Sequence, residues 1–164
     1  MARAGLDFAL GNAGAGLGAK AGRLKGGIGS ASLRLVTGET VGALVAVNSW
    51  GEVVRPDCGR LWAADLALAG EIDRQPPSPP QPFDPEDLPP GAAAGANTTL
   101  AVVATDAPLD KSGCRRLAIM AQDGLARLGT AAADCLARAV MRAVLEAEPL
   151  GGLPSWRQRW GGIG

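Results

Sequence analysis

The sequence of 164 residues contains no histidine and no tyrosine. Without histidine it cannot form a Ser-His-Asp or Cys-His catalytic arrangement, or a zinc site with an imidazole ligand. Without tyrosine it lacks a phenol for acid chemistry. These two absences exclude a large share of enzyme mechanisms before any motif is considered.

The sequence also lacks an excess of charge of either sign. Its 16 Lys and Arg residues balance 16 Asp and Glu residues, so the formal net charge is zero. A protein that binds nucleic acid mainly through phosphates needs a basic surface, because its affinity depends on counterion release. The cations over residues 20–34 have no aromatic residues among them, which is a weak nucleic-acid signal. We therefore expect no nucleic-acid partner.

Cysteine is scarce, and a long apolar run is missing. Cys58, Cys114 and Cys135 are widely spaced and form no CxxC pair, so the sequence predicts free buried thiols in a reducing compartment, with no metal site and no cofactor. The first residues lack the pattern of a signal peptide, and nowhere do about 18 apolar residues follow one another. These observations predict a cytoplasmic protein with no membrane partner.

A glycine-rich stretch near the start suggests a phosphate-binding loop but does not match one. Residues 14–18 contain G-x-G, yet Ala19 stands where a dinucleotide fingerprint requires a third glycine. No clear strand precedes the stretch and no G-K-[ST] follows it. Nucleotide binding is therefore not predicted.

Apolar spacing predicts strands first and helices later. Residues 28–35 and 41–47 are typical of two strands joined by a turn, and the near-continuous apolar second run is typical of a strand covered on both faces. Residues 97–105 predict a further strand, because they are apolar and β-branched. The period then changes to that of a helix from Lys111, and a second helix is expected over residues 130–148, before Pro149.

The prolines divide the chain. Eight of the twelve lie between Pro76 and Pro90, which predicts a linker over residues 74–96. We expect an N-terminal part over residues 1–97 and a C-terminal part over residues 98–164, which together form one structural domain.

Two residues could supply chemistry without histidine. A hydroxyl can be activated by its own α-amine, and Thr98 would gain that amine if the bond after Asn97 were cut. The same Asn97-Thr98-Thr99 also fits the glycosylation pattern. Lys25, between Leu24 and two glycines, could stabilise an oxyanion or could be an ordinary solvated lysine.

Three segments that contain these residues resemble one enzyme family. The segments, together with two near the C-terminus, are similar to the DmpA-like N-terminal-nucleophile hydrolases, and within that family to the nylon hydrolases, which are 6-aminohexanoate-oligomer endohydrolases. The residues that carry the resemblance are 22–32, 41–48 and 97–106, followed by 134–140 and 148–157.

The resemblance implies a mixed α/β fold, an α/β/β/α layered sandwich of which this chain holds only part. It implies self-cleavage between Asn97 and Thr98, with Thr98 as the catalytic nucleophile. Lys25 matches the family's active-site lysine, and Asn48 matches the asparagine that helps to hold the oxyanion. It also implies a homo-oligomer of cleaved heterodimers.

The resemblance leaves the substrate open among related classes. Hydrolysis of amide bonds in 6-aminohexanoate (nylon) oligomers is the first expectation. An aminopeptidase or a D-amino-acid esterase is the alternative, since the same nucleophile serves both. In each case the partner is a small oligoamide or peptide substrate.

The sequence departs from the family in two ways. It is shorter, without the large N-terminal portion, and it lacks a closely spaced Asp pair that orients the nucleophile. Asp123 and Asp134 lie in the predicted helices and are poor substitutes. A catalytically inactive, degenerate fragment is therefore a further alternative.

Overall fold

The computed structural model describes residues 7–72, 76, 97–123 and 127–161, and the predicted linker over residues 74–96 falls outside this part except for Pro76. Short 3-10 turns occupy Gly14–Gly16 and Ala64–Leu66. The strands are β1 (Lys20–Ala21), β2 (Leu24–Lys25), β3 (Gly27–Arg34), β4 (Thr40–Val47) and β5 (Leu100–Thr105). The helices are α1 (Lys111–Asp123), α2 (Arg127–Leu145) and α3 (Trp156–Trp160).

An antiparallel sheet of order β3-β4-β5 is the centre of the fold. The predicted hairpin is confirmed, because β3 and β4 pair from Gly27 with Val47 to Arg34 with Thr40. The third predicted strand is also present, but it starts at Leu100 instead of residue 97. Its pairing with β4 begins at Ala46, so the three residues before Leu100 lie beyond the paired part.

Helix α2 packs directly on the backbone of β3. A Cβ atom added to Gly29 would lie 1.8 Å from the carbonyl oxygen of Ala139 and 2.5 Å from the amide nitrogen of Ala143. Such distances are far inside van der Waals contact, so only glycine fits at this position in the strand. The core between α2 and the sheet includes Val45 and Val144, both fully buried.

The other face of the sheet is exposed. Leu44 on β4 is 41% exposed, and its neighbours on β5, Leu100 and Val102, are 67% and 64% exposed. The prediction that this strand is covered on both faces is therefore wrong. Alternate residues of a strand point to opposite faces, and α2 covers only one of them.

The two long helices confirm the predicted change of period, with shifted ends. Helix α1 starts at Lys111 as predicted, where the Asp110 carboxylate accepts hydrogen bonds from the Gly113 amide (2.7 Å) and the Ser112 hydroxyl (2.9 Å). These bonds lower the pKa of Asp110 and satisfy an amide that the first helical turn leaves unpaired. Helix α2 spans Arg127–Leu145, against the expected 130–148.

A buried ion pair fixes the irregular segment after β4 to this framework. The Arg138 guanidinium, 3% exposed, donates to both carboxylate oxygens of Glu71, with an Nε–Oε2 distance of 2.7 Å. It also donates to the Ser32 carbonyl oxygen at 3.0 Å, on β3. The hydrogen bond from Arg138 holds the pKa of Glu71 below its usual value.

The three cysteines are not all buried as predicted. Cys135 is buried, and burial raises the pKa of its thiol, but Cys58 is half-buried and Cys114 is exposed. All three are free thiols. The prediction of burial failed for Cys114 because it lies in the first turn of α1 and lines an open cavity beside Leu136 and Val140 of α2.

We expect Gly29→Ala to lower the free energy of unfolding by about 2 kcal/mol or more, because the added methyl group overlaps the backbone of α2. Gly42→Ala is the matched control, since its Cβ would lie 3.9 Å from the nearest atoms. Urea unfolding measures both. Equal losses in the two variants would contradict the close packing of α2 on β3.

We expect Glu71→Gln to lower the free energy of unfolding by about 2 kcal/mol at pH 7, because a charge-assisted hydrogen bond is lost. The folded-state pKa of Glu71 is depressed, so its contribution is present above the ordinary value of 4.5 and is lost as the pH falls through the folded-state pKa.

Unfolding measured from pH 7 to pH 3 tests this pH dependence. The difference between the wild type and Glu71→Gln should shrink as the solution becomes acidic. Glu146→Gln is the control, because this exposed carboxylate lies 3.6 Å from Arg157 and should contribute little. A constant difference for Glu71→Gln across the whole range would show that the ion pair between Glu71 and Arg138 is not the source of this stability.

Candidate active site

One end of the sheet collects the residues that the sequence analysis singled out. Lys25 ends β2 just before β3, and Asn48 directly follows β4. The pairing of β4 with β5 ends at Ala46 and Leu100, and Thr98 lies two residues before Leu100. The strand register therefore brings Lys25, Asn48 and Thr98 to the same end of the sheet.

Lys25 is buried in a cradle of backbone oxygens. Its side chain is 1% exposed, and Nζ donates to the carbonyl oxygens of Gly16 (2.5 Å), Ala19 (2.8 Å) and Gly26 (2.8 Å). An ammonium group has three protons, and three carbonyls accept them. The alternative of a solvated surface lysine is wrong.

This cradle has electrostatic consequences. Burial lowers the pKa of Lys25 by removing water from its charged form. The three carbonyl dipoles point their negative ends at Nζ and hold the charge in place without a carboxylate. The result is a fixed cationic group inside the protein, close to the end of the sheet.

Asn48 is oriented by the backbone of β1. Its Oδ1 atom accepts a hydrogen bond from the Lys20 amide at 3.2 Å. The Ser49 amide in turn donates to the Lys20 carbonyl oxygen at 2.9 Å, so the chain around Asn48 is held on both sides. These contacts fix the position of the Asn48 side chain at the end of β4.

Thr98 lies in the short extended stretch that leads into β5. It is exposed, whereas Asn97 before it is half-buried. Alternation along the strand sets Thr98 on the same face as Leu100, which is the exposed face of the sheet. The bond between Asn97 and Thr98 is therefore next to solvent.

Trp50 is a residue of this region that the sequence analysis missed. Its indole Nε1 is buried and has no hydrogen-bond acceptor within the described ranges, and it lies two residues after Asn48. A buried N–H that donates to nothing in the protein is available to an oxygen atom of a bound molecule. No spacing or composition signal marks a single tryptophan in an irregular segment as such a donor.

Asp134, one of the two carboxylates considered in place of the missing Asp pair, does not come to this end of the sheet. It is half-buried in the second turn of α2, next to Cys135, whose thiol contacts the Val41 carbonyl oxygen near the other end of β4. No three Asp, Glu or Cys residues in the described part of the chain cluster as metal ligands. The same residues contain no helix that is long and apolar enough to cross a membrane.

Comparison with known sequences gives one family and several relatives. A model of peptidase family S58 matches residues 1–131. An uncharacterized aminopeptidase of Mycobacterium bovis is 40% identical over 209 aligned positions, which cover 98% of this chain and 60% of the relative. The chain thus spans about three fifths of the length of that relative.

The alignment also shows where part of the difference in length lies. Its 209 positions exceed the 164 residues of this chain by 45. The relative therefore carries at least 45 residues inside the matched region that this chain lacks. Internal segments, and not only ends, distinguish the two proteins.

Solved structures show the same fold. A beta-aminopeptidase of Burkholderia sp. superposes with a TM-score of 0.60 at 23% identity, over 93% of this chain and 52% of that one. A protein of Pyrococcus horikoshii OT3 superposes with a TM-score of 0.57 at 25% identity, over 91% and 48%. The expected fold class, a part of this layered α/β architecture, is confirmed.

We expect Lys25→Met to lower the free energy of unfolding by about 2 kcal/mol or more, because three buried carbonyls lose a charged donor, and those of Gly16 and Ala19 keep one backbone donor each. Lys20→Met is the matched control, since Lys20 pairs with Lys25 across β1 and β2 but is only half-buried. Thermal and urea unfolding measure both variants. An unchanged free energy of unfolding in Lys25→Met would show that the three hydrogen bonds of Lys25 do not stabilise the fold.

Proposed function

We propose, on the premise that this chain belongs to peptidase family S58, that it is an N-terminal-nucleophile amide hydrolase with Thr98 as its nucleophile. The observation that supports the proposal is the position of the three residues: Lys25, Asn48 and Thr98 each lie within two residues of the same end of β3, β4 and β5, and Lys25 is buried there. A hydroxyl, an amide donor and a fixed cation are the groups that this chemistry needs.

The first step is self-cleavage. The Thr98 hydroxyl attacks the carbonyl carbon of Asn97, and the nitrogen of Thr98 leaves as an amine after taking up the hydroxyl proton. Water then hydrolyses the resulting ester. The products are the carboxylate of Asn97 and a free α-amine on Thr98, whose unperturbed pKa lies near 8.

The second step is turnover of an amide substrate. The neutral α-amine of Thr98 accepts the proton of its own hydroxyl, which attacks the substrate carbonyl. The departing amine takes that proton, and water hydrolyses the acyl ester on Thr98. The amide NH₂ of Asn48 donates to the oxyanion, a contact that contributes about 3 kcal/mol in comparable sites.

Lys25 serves this chemistry through its charge and its position. All three of its Nζ protons are held by backbone carbonyls, so it stiffens the chain around Gly16, Ala19 and Gly26 at this end of the sheet. A nearby cation also favours the neutral form of an amine, which is the form that acts as base. Both effects keep Thr98 ready to react.

The substrate we propose first is the amide bond of 6-aminohexanoate (nylon) oligomers. An aminopeptidase is the second candidate, because the relative from Mycobacterium bovis and the structural neighbour from Burkholderia are both named as aminopeptidases. A D-amino-acid esterase uses the same nucleophile. Hydrolysis of oligomers with a blocked amino end, compared with free ones, separates the first candidate from the second.

An inactive fragment is the alternative outside enzymes. Two observations favour it. The relative has internal segments, together at least 45 residues, that this chain lacks, and the closely spaced Asp pair is missing. For the active form we propose a homo-oligomer of cleaved heterodimers in the cytoplasm. The exposed apolar face of the sheet, which includes Leu100 and Val102, is consistent with association.

The intact mass of the purified chain under denaturing conditions tests the proposal. We expect two fragments, the first 97 residues and the last 67, the smaller of which begins at Thr98. Thr98→Ala should remain a single chain of 16.5 kDa, because it has no hydroxyl. Thr98→Ser should still cleave, and Thr99→Ala is the matched control that should cleave like the wild type.

The opposite pattern would support the inactive fragment. If the wild type remains uncut, Thr98 has no free amine and cannot act as proposed. If cleavage persists in Thr98→Ala, another residue or a contaminating protease makes the cut.

A further inference from the structure

A small charged pocket lies between the β1–β2 turn, the segment after β4 and helix α3. Its volume is about 220 Å³, and its walls are formed by Arg23, Glu52, Val54, Pro56, Arg159 and Trp160. Sites that enclose a whole small molecule measure about 300 to 1,000 Å³. The pocket is therefore of a size for one end of a molecule, a charged group with a short apolar substituent.

Backbone contacts hold the walls of this pocket in place. The Gly22 amide donates to the Ser49 carbonyl oxygen at 3.2 Å, which fixes the β1–β2 turn. On the α3 side, the Trp156 indole N–H donates to the Gly59 carbonyl oxygen at 2.8 Å. Gly59 has a φ of +76°, and a Cβ atom there would lie 2.2 Å from the Trp160 ring. Trp160 thus rests on the backbone of Gly59, and the pocket is formed without a ligand.

Two guanidinium groups and one carboxylate line the pocket. The Glu52 carboxylate accepts from the Arg23 amide (3.2 Å) and forms an ion pair with the Arg23 guanidinium (3.2 Å). Arg159 is exposed, and within the residues that the structure describes it forms no ion pair with a carboxylate. Two cations and one anion leave one positive charge in excess, so the lining is suited to a group with a single negative charge.

The Arg159 guanidinium lies over the indole ring of Trp160, 4.8 Å from its centre. A guanidinium that stacks on an aromatic ring can still donate through the N–H groups at its edge. A carboxylate accepts two parallel hydrogen bonds from such an edge. The stacking therefore limits the orientations of Arg159 and leaves its donors available to a planar anion.

We propose that this pocket binds a carboxylate, with Arg159 as its donor and Trp160 as the surface that orients the donor. Val54 and Pro56 offer apolar contact to a short substituent beside the carboxylate. Short-chain acids and the C-termini of peptides share this chemistry. A dianion such as phosphate is disfavoured, because the Glu52 carboxylate is part of the same lining. The inference is independent of the proposed function, since none of these residues takes part in the proposed chemistry.

Titration of the ¹⁵N-labelled chain with isobutyrate, followed by NMR, tests the site. We expect the indole N–H signal of Trp160 to shift and to saturate in the millimolar range. Isobutyramide, which has the same shape without the charge, should leave this signal unchanged, and phosphate should bind more weakly than isobutyrate. N-acetylvaline separates the two sources of carboxylate: tighter binding than isobutyrate indicates a peptide C-terminus, and weaker binding indicates a free acid.

Three variants assign the binding to the charges of the pocket. Arg159→Met should weaken isobutyrate binding about fivefold or more, because the charge-assisted hydrogen bonds are lost. Arg157→Met is the matched control, since Arg157 lies on the same helix outside the pocket, 3.6 Å from Glu146, and should bind like the wild type. Glu52→Gln should strengthen binding about threefold, because it removes a negative charge from the lining and releases the Arg23 guanidinium.

The results that would overturn the inference are specific. If isobutyrate leaves the Trp160 signal unchanged, or if isobutyramide shifts it equally, the pocket is not a carboxylate site. Equal weakening in Arg157→Met and Arg159→Met would show only a general attraction of anions to α3. Weaker binding in Glu52→Gln, with a circular dichroism spectrum like that of the wild type, would contradict the charge balance. None of these measurements requires the chain to cut itself or to hydrolyse amides.

Discussion

The buried ammonium of Lys25 is the contact on which the candidate site depends. It joins the carbonyls of Gly16, Ala19 and Gly26, which lie in the 3-10 turn, directly before β1 and in the link to β3. The Lys25 amide also donates to the Pro154 carbonyl oxygen at 2.9 Å, so the segment before α3 is attached to the same residue. A charged group that is 1% exposed persists only with such partners, because burying an unpaired charge is costly.

The rest of the fold supports this end of the sheet from one side. Helix α2 approaches so closely that β3 accepts only glycine at position 29, and the Arg138–Glu71 pair attaches the segment between β4 and β5 to the same helix. That segment carries Trp50, Glu52 and Trp62. The opposite face of the three-stranded sheet stays apolar and exposed, so α2 supports this end of the sheet from one side only.

Some of this architecture follows from sequence alone. The β3–β4 hairpin has a strand–turn–strand pattern, and the helices from Lys111 onward have a clear apolar period. The burial of Lys25 could not be predicted, because lysine is almost always exposed and its three acceptors are carbonyls that leave no sequence signal. The exposed face of β4 was missed because the apolar pattern of a strand does not show whether a second layer covers it.

The candidate site, like the fold, could be predicted from the sequence only in part. Thr98, Lys25 and Asn48 were identified from hydroxyl–amine chemistry and a family resemblance, and all three lie near the same end of the three-stranded sheet. Trp50 and the pairing of Glu52 with Arg23 were not identified. They come from an irregular segment whose residues become neighbours only after α2 and the sheet have packed together.

A trapped acyl-enzyme tests the central claim, that Thr98 is the nucleophile, most directly. The chain is mixed with 4-nitrophenyl hexanoate, quenched in acid within seconds and analysed by fragmentation mass spectrometry. The account predicts one hexanoyl group, carried by the 67-residue fragment and located on the side-chain oxygen of Thr98. A hexanoyl group on Cys114 or a lysine, with Thr98 unmodified, would contradict it.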